Sequence, residues 1–174
     1  TSKEQQQRLV RGKWPDGPAS LAFAAMALRS GLMSGLRVRA KPQQKIISMI
    51  PDLDRKAQIP LNAAAALAVK RLVGYTRNEP SIIEHARTLA ANLPRWEEGK
   101  MDFRYFFLGT FGMFGMSGDY WRQWNAAIRE LMIEKQIHGG EHDGSWPQAD
   151  LVSSRATKRS PRASRSYAFA MSAL

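Results

Sequence analysis

The sequence predicts an all-helical protein built from stacked helix–helix hairpins, and three observations support this fold class. Four runs rich in Ala, Leu, Phe and Met carry almost no charge, and amphipathic segments lie between them. Two distant stretches share one pattern, in which a Gln, a Gly and a Trp-Pro pair precede an AFAAMAL-like run. No alternation of apolar and polar residues is sustained over the length of a strand. One supersecondary unit is therefore expected to repeat along the chain.

The four apolar runs are the predicted inner helices, because a helix that is apolar all round must be buried all round. They lie at 21–28, 61–69, 105–116 and 167–174. Prolines stand where helices would begin, since proline is tolerated in the first turn of a helix. These prolines are Pro18, Pro60 and Pro80.

Amphipathic segments alternate with the apolar runs and are the predicted outer helices. The clearest is 81–93, and 120–136 and the shorter 43–50 have the same character. In 81–93 the apolar residues Ile82, Ile83, Ala86, Leu89, Ala90 and Leu93 follow helical spacing, and Glu84, His85 and Arg87 are expected on the opposite, wet side.

The apolar runs recur about every forty residues, which indicates stacked αα-hairpins. An open solenoid of HEAT type would bury both helices of each hairpin in a similar way. A closed ring with dry inner helices and wetter outer helices fits the asymmetry better. We therefore expect part of an α/α toroid, as one domain over 1–174, with a basic loop at 151–166 inside it. The chain starts without Met and stops within an apolar run, so we expect a fragment of a longer polypeptide.

Composition narrows the possible chemistry. The chain has no cysteine, which excludes a disulfide framework, a thiolate nucleophile and a thiolate zinc site within it. The net charge of +11 favours phosphate-rich partners, but the basic residues cluster mainly in two segments that look like connections. The longest uncharged apolar stretch is too short to cross a bilayer, so no transmembrane segment is predicted. No cofactor and no metal are predicted, and the localisation stays open.

Gln followed by Gly-x-Trp, placed between a charged segment and an apolar run, resembles the QW repeat of the squalene and terpenoid cyclase superfamily. The pattern occurs at Gln7, Gly12 and Trp14 and again at Gln136, Gly144 and Trp146. The stretch RYFFLGTFGMFGMSGDYWRQWN and the later GSWP resemble a bacterial prenyltransferase and squalene-oxidase repeat protein. The resemblance implies an α/α toroid and an isoprenoid or other apolar ligand. The insertion at 139–143 and the basic loop depart from the family pattern.

The six residues of the two patterns are expected to have a structural role. A Gln amide can satisfy free backbone groups at a helix end, Gly permits a close approach, and an indole covers an apolar seam. Such loops would hold neighbouring hairpins together.

Asp54 is the candidate catalytic residue. With Asp52 it forms D-L-D-R, which resembles the D-x-D-D motif that supplies the protonating acid of squalene-hopene cyclases. An acid that protonates an alkene must itself stay protonated, which requires crowded carboxyl groups in a dry site. Arg55 stands in the last position and Lys56 follows, and a nearby cation favours the carboxylate. Asp54 is therefore expected to be a poor acid, in a solvated charged turn before a helix.

Two further motifs bear on ligands. The sequence H-x-x-E-H, the order found in inverted zincin proteases, occurs at His138, Glu141 and His142. A zinc site of that kind needs a continuous helix, and Gly139-Gly140 should break the helix here. The arginines of the basic loop could bind a phosphate, either of RNA or of a prenyl diphosphate. The alternative is that the loop is a solvated linker. Nucleic acid is not expected as a partner, because the loop lacks interleaved aromatic residues. Its phosphate-binding candidates are Arg155, Lys158, Arg159, Arg162 and Arg165.

The third apolar run carries a set of aromatic residues interleaved with glycines. Because π faces stabilise carbocations and glycines leave room for a ligand, these residues are candidates for lining an isoprenoid pocket. Ordinary packing of an inner helix is the alternative. The residues are Phe103, Tyr105, Phe106, Phe107, Phe111 and Phe114.

The sequence leaves two functions open. The chain is either a relative of terpenoid cyclases or prenyltransferases with catalytic residues outside this sequence, or a non-catalytic binding or structural module that engages a protein partner through the toroid's end loops. The incomplete acid motif and the lack of cysteine favour the module. A carbohydrate enzyme of the (α/α)-barrel class would need a pair of inner-loop acids, and no such pair is identified.

Overall fold

The computed structural model describes residues 17–97 and 102–147, and these residues form six α-helices and no strand. The all-helical prediction is confirmed. The predicted helix at 167–174 and the basic loop lie outside the described residues. The helices are α1 (Pro18–Met33), α2 (Ala40–Arg55), α3 (Pro60–Leu72), α4 (Pro80–Ala90), α5 (Phe103–Met116) and α6 (Gly118–Lys135).

The three apolar helices α1, α3 and α5 pack side by side, with α3 between the other two. The amphipathic helices pack against this row, since α2 contacts α1 and α3, α4 contacts α3 and α5, and α6 contacts α5 and α4. The C-terminal ends of the three apolar helices lie together, because Arg71 of α3 lines a cleft with Leu32 of α1 and also approaches Gly115 of α5. We call this end of the molecule the turn end.

Helix α3 is the only described helix of the apolar row that is buried on every side. All residues from Asn62 to Lys70 are buried, and the small side chains of Ala63–Ala66 let α1 and α5 approach closely. Helices α1 and α5 differ, since Met33 is 78% exposed and Phe114 is 66% exposed. The expectation that every apolar run is buried all round is wrong for these two helices. Each stands at one end of the row, with a side that no described residue covers.

Proline marks the helix starts as predicted, and Pro18, Pro60 and Pro80 each lie in a first turn. Helix α2 differs from the prediction, because it continues through Pro51 to Arg55. A proline inside a helix loses one backbone hydrogen bond. Burial offsets this loss, since Ile46, Ile50 and Leu53 are spaced so that all three face the core.

Two of the apolar helices end in the same kind of glycine turn at the turn end. After α1 the Leu36 N–H donates to the Gly31 carbonyl at 2.9 Å, and Gly35 takes a φ of 73°. After α3 the Tyr75 N–H donates to the Lys70 carbonyl at 3.0 Å, and Gly74 takes a φ of 104°. This geometry satisfies carbonyls that a helix end leaves free.

None of the described helices combines the length and apolarity needed to cross a bilayer.

Glycines in α5 allow the helices on both sides to approach it. A methyl group at Gly109 would overlap the buried Trp124 ring of α6, and one at Gly112 would lie 2.8 Å from Leu67 Cδ2 of α3. At Gly115 a methyl group would meet only the flexible Arg71 side chain, at 3.2 Å from Nε. The contacts of α5 with its two neighbours therefore depend on Gly109 and Gly112.

We predict that Gly109→Ala lowers the free energy of unfolding by about 2 kcal/mol or more, because Trp124 has no room to move away. Gly115→Ala is the matched control, and it should be neutral or stabilising by up to about 1 kcal/mol, the gain in helix propensity. Urea unfolding of both variants measures the difference. Equal stabilities would show that α5 and α6 do not pack as described.

Candidate functional site

A cluster of three charged or titratable side chains lies where α2, α3 and α4 meet. Asp54 comes from the last turn of α2, Lys70 from the end of α3, and His85 from the middle of α4. Lys70 and His85 are buried, at 1% and 2% exposure, and the Asp54 side chain is about one-third exposed. We call these three residues the Asp54 cluster.

The Asp54 carboxylate accepts hydrogen bonds from both partners. Lys70 Nζ lies 2.7 Å from Oδ1 and 2.8 Å from Oδ2, and His85 Nε2 lies 2.7 Å from Oδ1. Lys70 Nζ is also 3.3 Å from His85 Nε2, so the two donors converge on one carboxylate. The Tyr75 ring lies 5.6 Å from Lys70 Nζ on a further side of the ammonium group.

The contacts of His85 indicate which nitrogen of its ring carries the proton. Because Nε2 faces a carboxylate oxygen, Nε2 carries the proton, and Nδ1 is a buried acceptor without a hydrogen-bond partner among the described residues. Burial lowers the pKa of His85 below its ordinary value, the hydrogen bond to Asp54 opposes this, and the charge of Lys70 adds to the lowering. A neutral imidazole is the form that this environment favours.

A buried ammonium group and an N–H donor both face the Asp54 carboxylate. The prediction that Asp54 is a poor acid named Arg55 as the nearby cation, but Arg55 pairs with Asp52 on the exposed face of α2. The expected solvated turn is also wrong, because both aspartates lie in the last turn of α2. The chemistry that suits this cluster is ion pairing.

Neither partner of Asp54 was predicted from the sequence. His85 was assigned to the wet side of α4, and this is wrong because the side chain is buried. The signal was present, since Ile82, His85, Ala86 and Leu89 share one helical face. Lys70 directly follows a run of buried residues on a helix that is buried all round, and that position was the available signal.

The structure brings the second Gln–Gly–Trp pattern together in one loop after α6. Gln136 Nε2 donates to the Gly144 carbonyl at 3.0 Å, and Trp146 Nε1 donates to the Met132 carbonyl at 2.8 Å. The Met132 carbonyl belongs to the last turn of α6, where the helix itself provides no donor. Gly144 has a φ of 76°, a conformation that glycine adopts without strain. The loop therefore caps the helix it follows.

Trp146 also packs on its own hairpin. Its ring lies in an apolar cluster with Phe103 and Phe106 of α5 and Leu131 and Met132 of α6. This contact fastens α5 to α6. The first copy of the pattern, Gln7, Gly12 and Trp14, lies outside the described residues.

Among the described residues, the six aromatic side chains of α5 have different surroundings. Phe103 and Phe106 are buried beside Trp96 and Trp146, whereas Phe107 stacks on Phe23 of α1 at 5.6 Å. Phe111 and Phe114 are exposed, and Phe114 packs edge-on against Trp121.

Tyr105 has a separate environment from these rings. It packs against Trp124, and its hydroxyl donates to the Asn92 carbonyl. Burial raises the pKa of Tyr105, which keeps this hydroxyl a donor. Tyr105 and Phe106 border a cleft of about 450 Å³ at the end opposite the turn end, together with Arg95, Glu97 and Asp102.

The candidate metal-binding and phosphate-binding residues lie in loops after α6 or outside the described residues. Helix α6 ends at Lys135, so His138, Glu141 and His142 lie in the loop that follows, where Gly139 and Gly140 have positive φ. No group of three His, Asp or Glu side chains in the described part of the chain is arranged to hold a metal ion. The basic-loop candidates Arg155, Lys158, Arg159, Arg162 and Arg165 lie outside the described residues.

Comparison of the chain with family models, with curated proteins and with solved structures gives no significant match. The function is therefore inferred from the residues and contacts described above.

We predict that the free energy of unfolding falls as the pH is lowered from 7 towards 5. Because the folded-state pKa of His85 lies below the unfolded value of 6.5, the unfolded chain takes up a proton that the folded protein does not. The loss is at most about 1.4 kcal/mol per pH unit. His85→Gln keeps a donor for Asp54 but does not titrate, so its stability should change less over this range.

Urea unfolding at a series of pH values measures the effect. His138→Gln is the matched control, since His138 lies in the loop after α6 and is not part of the Asp54 cluster, and this variant should keep more of the pH dependence than His85→Gln. The assignment of the effect to His85 is wrong if His85→Gln shows the same pH dependence as the control.

Proposed function

We propose that this chain is a repeat module of the squalene and terpenoid cyclase-like α/α-toroid superfamily that acts by binding or scaffolding, and not by acid catalysis. The observation that carries the proposal is the pairing of Asp54 with Lys70 and His85. In this module the aspartate that resembles the cyclase acid has a structural task. It joins the outer helices α2 and α4 to the end of the inner helix α3.

Two features of the fold support the superfamily. Apolar helices form one row and amphipathic helices pack against it, as expected for an arc of a toroid. The Gln136–Trp146 loop caps α6 and packs on the seam between α5 and α6, within one hairpin and not between neighbouring hairpins as expected from the sequence. On this proposal the row continues beyond α1 and α5, and further hairpins pack on the sides of these two helices, which leaves the turn end exposed.

Asp54→Asn tests the proposed role of the aspartate. Removing the charge leaves the buried Lys70 ammonium without a counter-ion, and we expect a loss of about 3 kcal/mol in the free energy of unfolding. Asp52→Asn is the matched control two residues away. Its partner Arg55 and Asp52 itself are exposed, so that loss should stay below about 1 kcal/mol.

The same variants test the absence of acid catalysis. The unaltered protein and both variants are incubated with squalene and with farnesyl diphosphate, and products are identified by gas chromatography and mass spectrometry. We expect no cyclised product above the protein-free control for any of the three. Cyclisation by the unaltered protein that a folded Asp54→Asn variant lacks would overturn the proposal.

The second candidate is an isoprenoid-binding cyclase or transferase whose catalytic residues lie outside this sequence. The exposed rings of Phe111 and Phe114 on an inner helix favour it, because such rings are available to an apolar ligand. Solvent extraction of the purified protein, followed by mass spectrometry, tests it. A polyprenyl chain that is retained by the unaltered protein and lost in Phe111→Ser would support this candidate, whereas an extract without such a chain would support the module.

A further inference from the structure

Exposed apolar side chains and exposed cations lie together at the turn end, around the connection between α1 and α2. Leu32, Met33 and Leu36 end α1 and enter the turn, and Ile47 of α2 lines the same cleft as Leu32. Their exposures are 41%, 78%, 65% and 50%. Large aliphatic groups this exposed and this close together mark an interaction surface.

Five cations are close to these apolar side chains along the chain. No acidic residue occurs from Gly17 to Pro51, and no acidic side chain among residues 17–97 and 102–147 pairs with any of the five. All five are exposed. They are Arg29, Arg37, Arg39, Lys41 and Lys45, and with the four apolar residues they form what we call the basic–apolar tip.

We propose that the basic–apolar tip docks onto a membrane surface that contains anionic lipids. The protruding aliphatic groups gain by leaving water for the acyl boundary, and the cations gain from the negative potential of the headgroups. A nucleic acid would satisfy the cations but would offer nothing to Leu32, Met33 and Leu36. A membrane surface would be the partner of the binding module proposed above, and the inference rests on the proposed function only to that extent.

The cleft behind the tip adds a second contact for a headgroup. It has a volume of about 210 Å³ and joins an apolar wall, including Leu28 and Ile46, to the guanidinium groups of Arg29 and Arg71. Arg71 already donates from Nη1 to the Tyr75 carbonyl. A lipid phosphate at the mouth of the cleft would give the exposed Arg29 side chain an anionic partner.

Site-specific fluorescence on the whole 174-residue chain tests the depth of docking. Because the chain has no cysteine, Met33→Cys gives a single attachment point for an environment-sensitive dye. Ile133→Cys is the matched control, since Ile133 is 64% exposed on α6, far along the chain from the tip. With phosphatidylcholine vesicles that contain phosphatidylglycerol, the emission of the dye at 33 should shift to the blue, and that at 133 should not.

Vesicle co-sedimentation of variants tests the two parts of the tip. Met33→Glu with Leu36→Glu should abolish binding to anionic vesicles, and Ile133→Glu should leave it unchanged. Replacing Arg37, Arg39 and Lys41 by Gln should weaken binding about a hundredfold, because each cation near an anionic surface contributes about a fivefold factor. The same charge change at Arg155, Lys158 and Arg159 is the matched control and should cost less.

Either of two other outcomes would overturn the proposed membrane contact of the tip. Vesicle binding that depends on the 155–159 variant and not on the tip would assign the membrane contact to the basic loop. A blue shift at 33 without vesicles, together with a dimer in light scattering, would make the tip an interface between copies of the chain. Detection of cyclised products, or an Asp54→Asn variant as stable as its Asp52→Asn control, would overturn the proposed function without changing these vesicle results. This inference and the proposed function therefore fail independently.

Discussion

Helix α3 is enclosed by α1, α2, α4 and α5, and the charged side chain of Lys70 is enclosed with it. A buried ammonium group is costly unless an anion and hydrogen-bond acceptors face it. Asp54 provides the anion from α2, and the Tyr75 ring, placed by the glycine turn after α3, provides a π face. The need to accommodate one buried cation therefore sets how α2, α3, α4 and the turn after α3 meet.

The same constraint limits the chemistry of the site. A carboxyl group that serves as counter-ion for Lys70 cannot also hold the proton that alkene protonation requires. His85 adds a second donor to the carboxylate and is itself favoured in the neutral form. The contacts of the central cluster suit ion pairing, and among the described residues exposed apolar side chains lie at the turn end and on α5.

Local sequence patterns were sufficient to predict most of the helices but not the contacts between the helices. Prolines identified the starts of α3 and α4, and apolar or amphipathic runs identified α3, α4 and α5, because these signals depend on residues close together in the chain. Pro51 was misleading, since the burial of Ile46, Ile50 and Leu53 outweighs the missing hydrogen bond. The Asp54–His85 contact joins residues 31 positions apart, and no helical period relates them. For Gln136, Gly144 and Trp146, the sequence suggested a loop at a helix end, but it did not show that Trp146 packs on its own hairpin.

Native-state hydrogen exchange of the α3 amides tests the central position of this helix most directly. If α3 and Lys70 form the core on which the other helices depend, the amides from Ala66 to Lys70 should exchange only through complete unfolding. Their opening free energy should then equal the unfolding free energy measured with denaturant, whereas the last turn of α1 should open at a lower free energy. Exchange of the α3 amides well below the unfolding free energy, or at the level of the last turn of α1, would contradict the account.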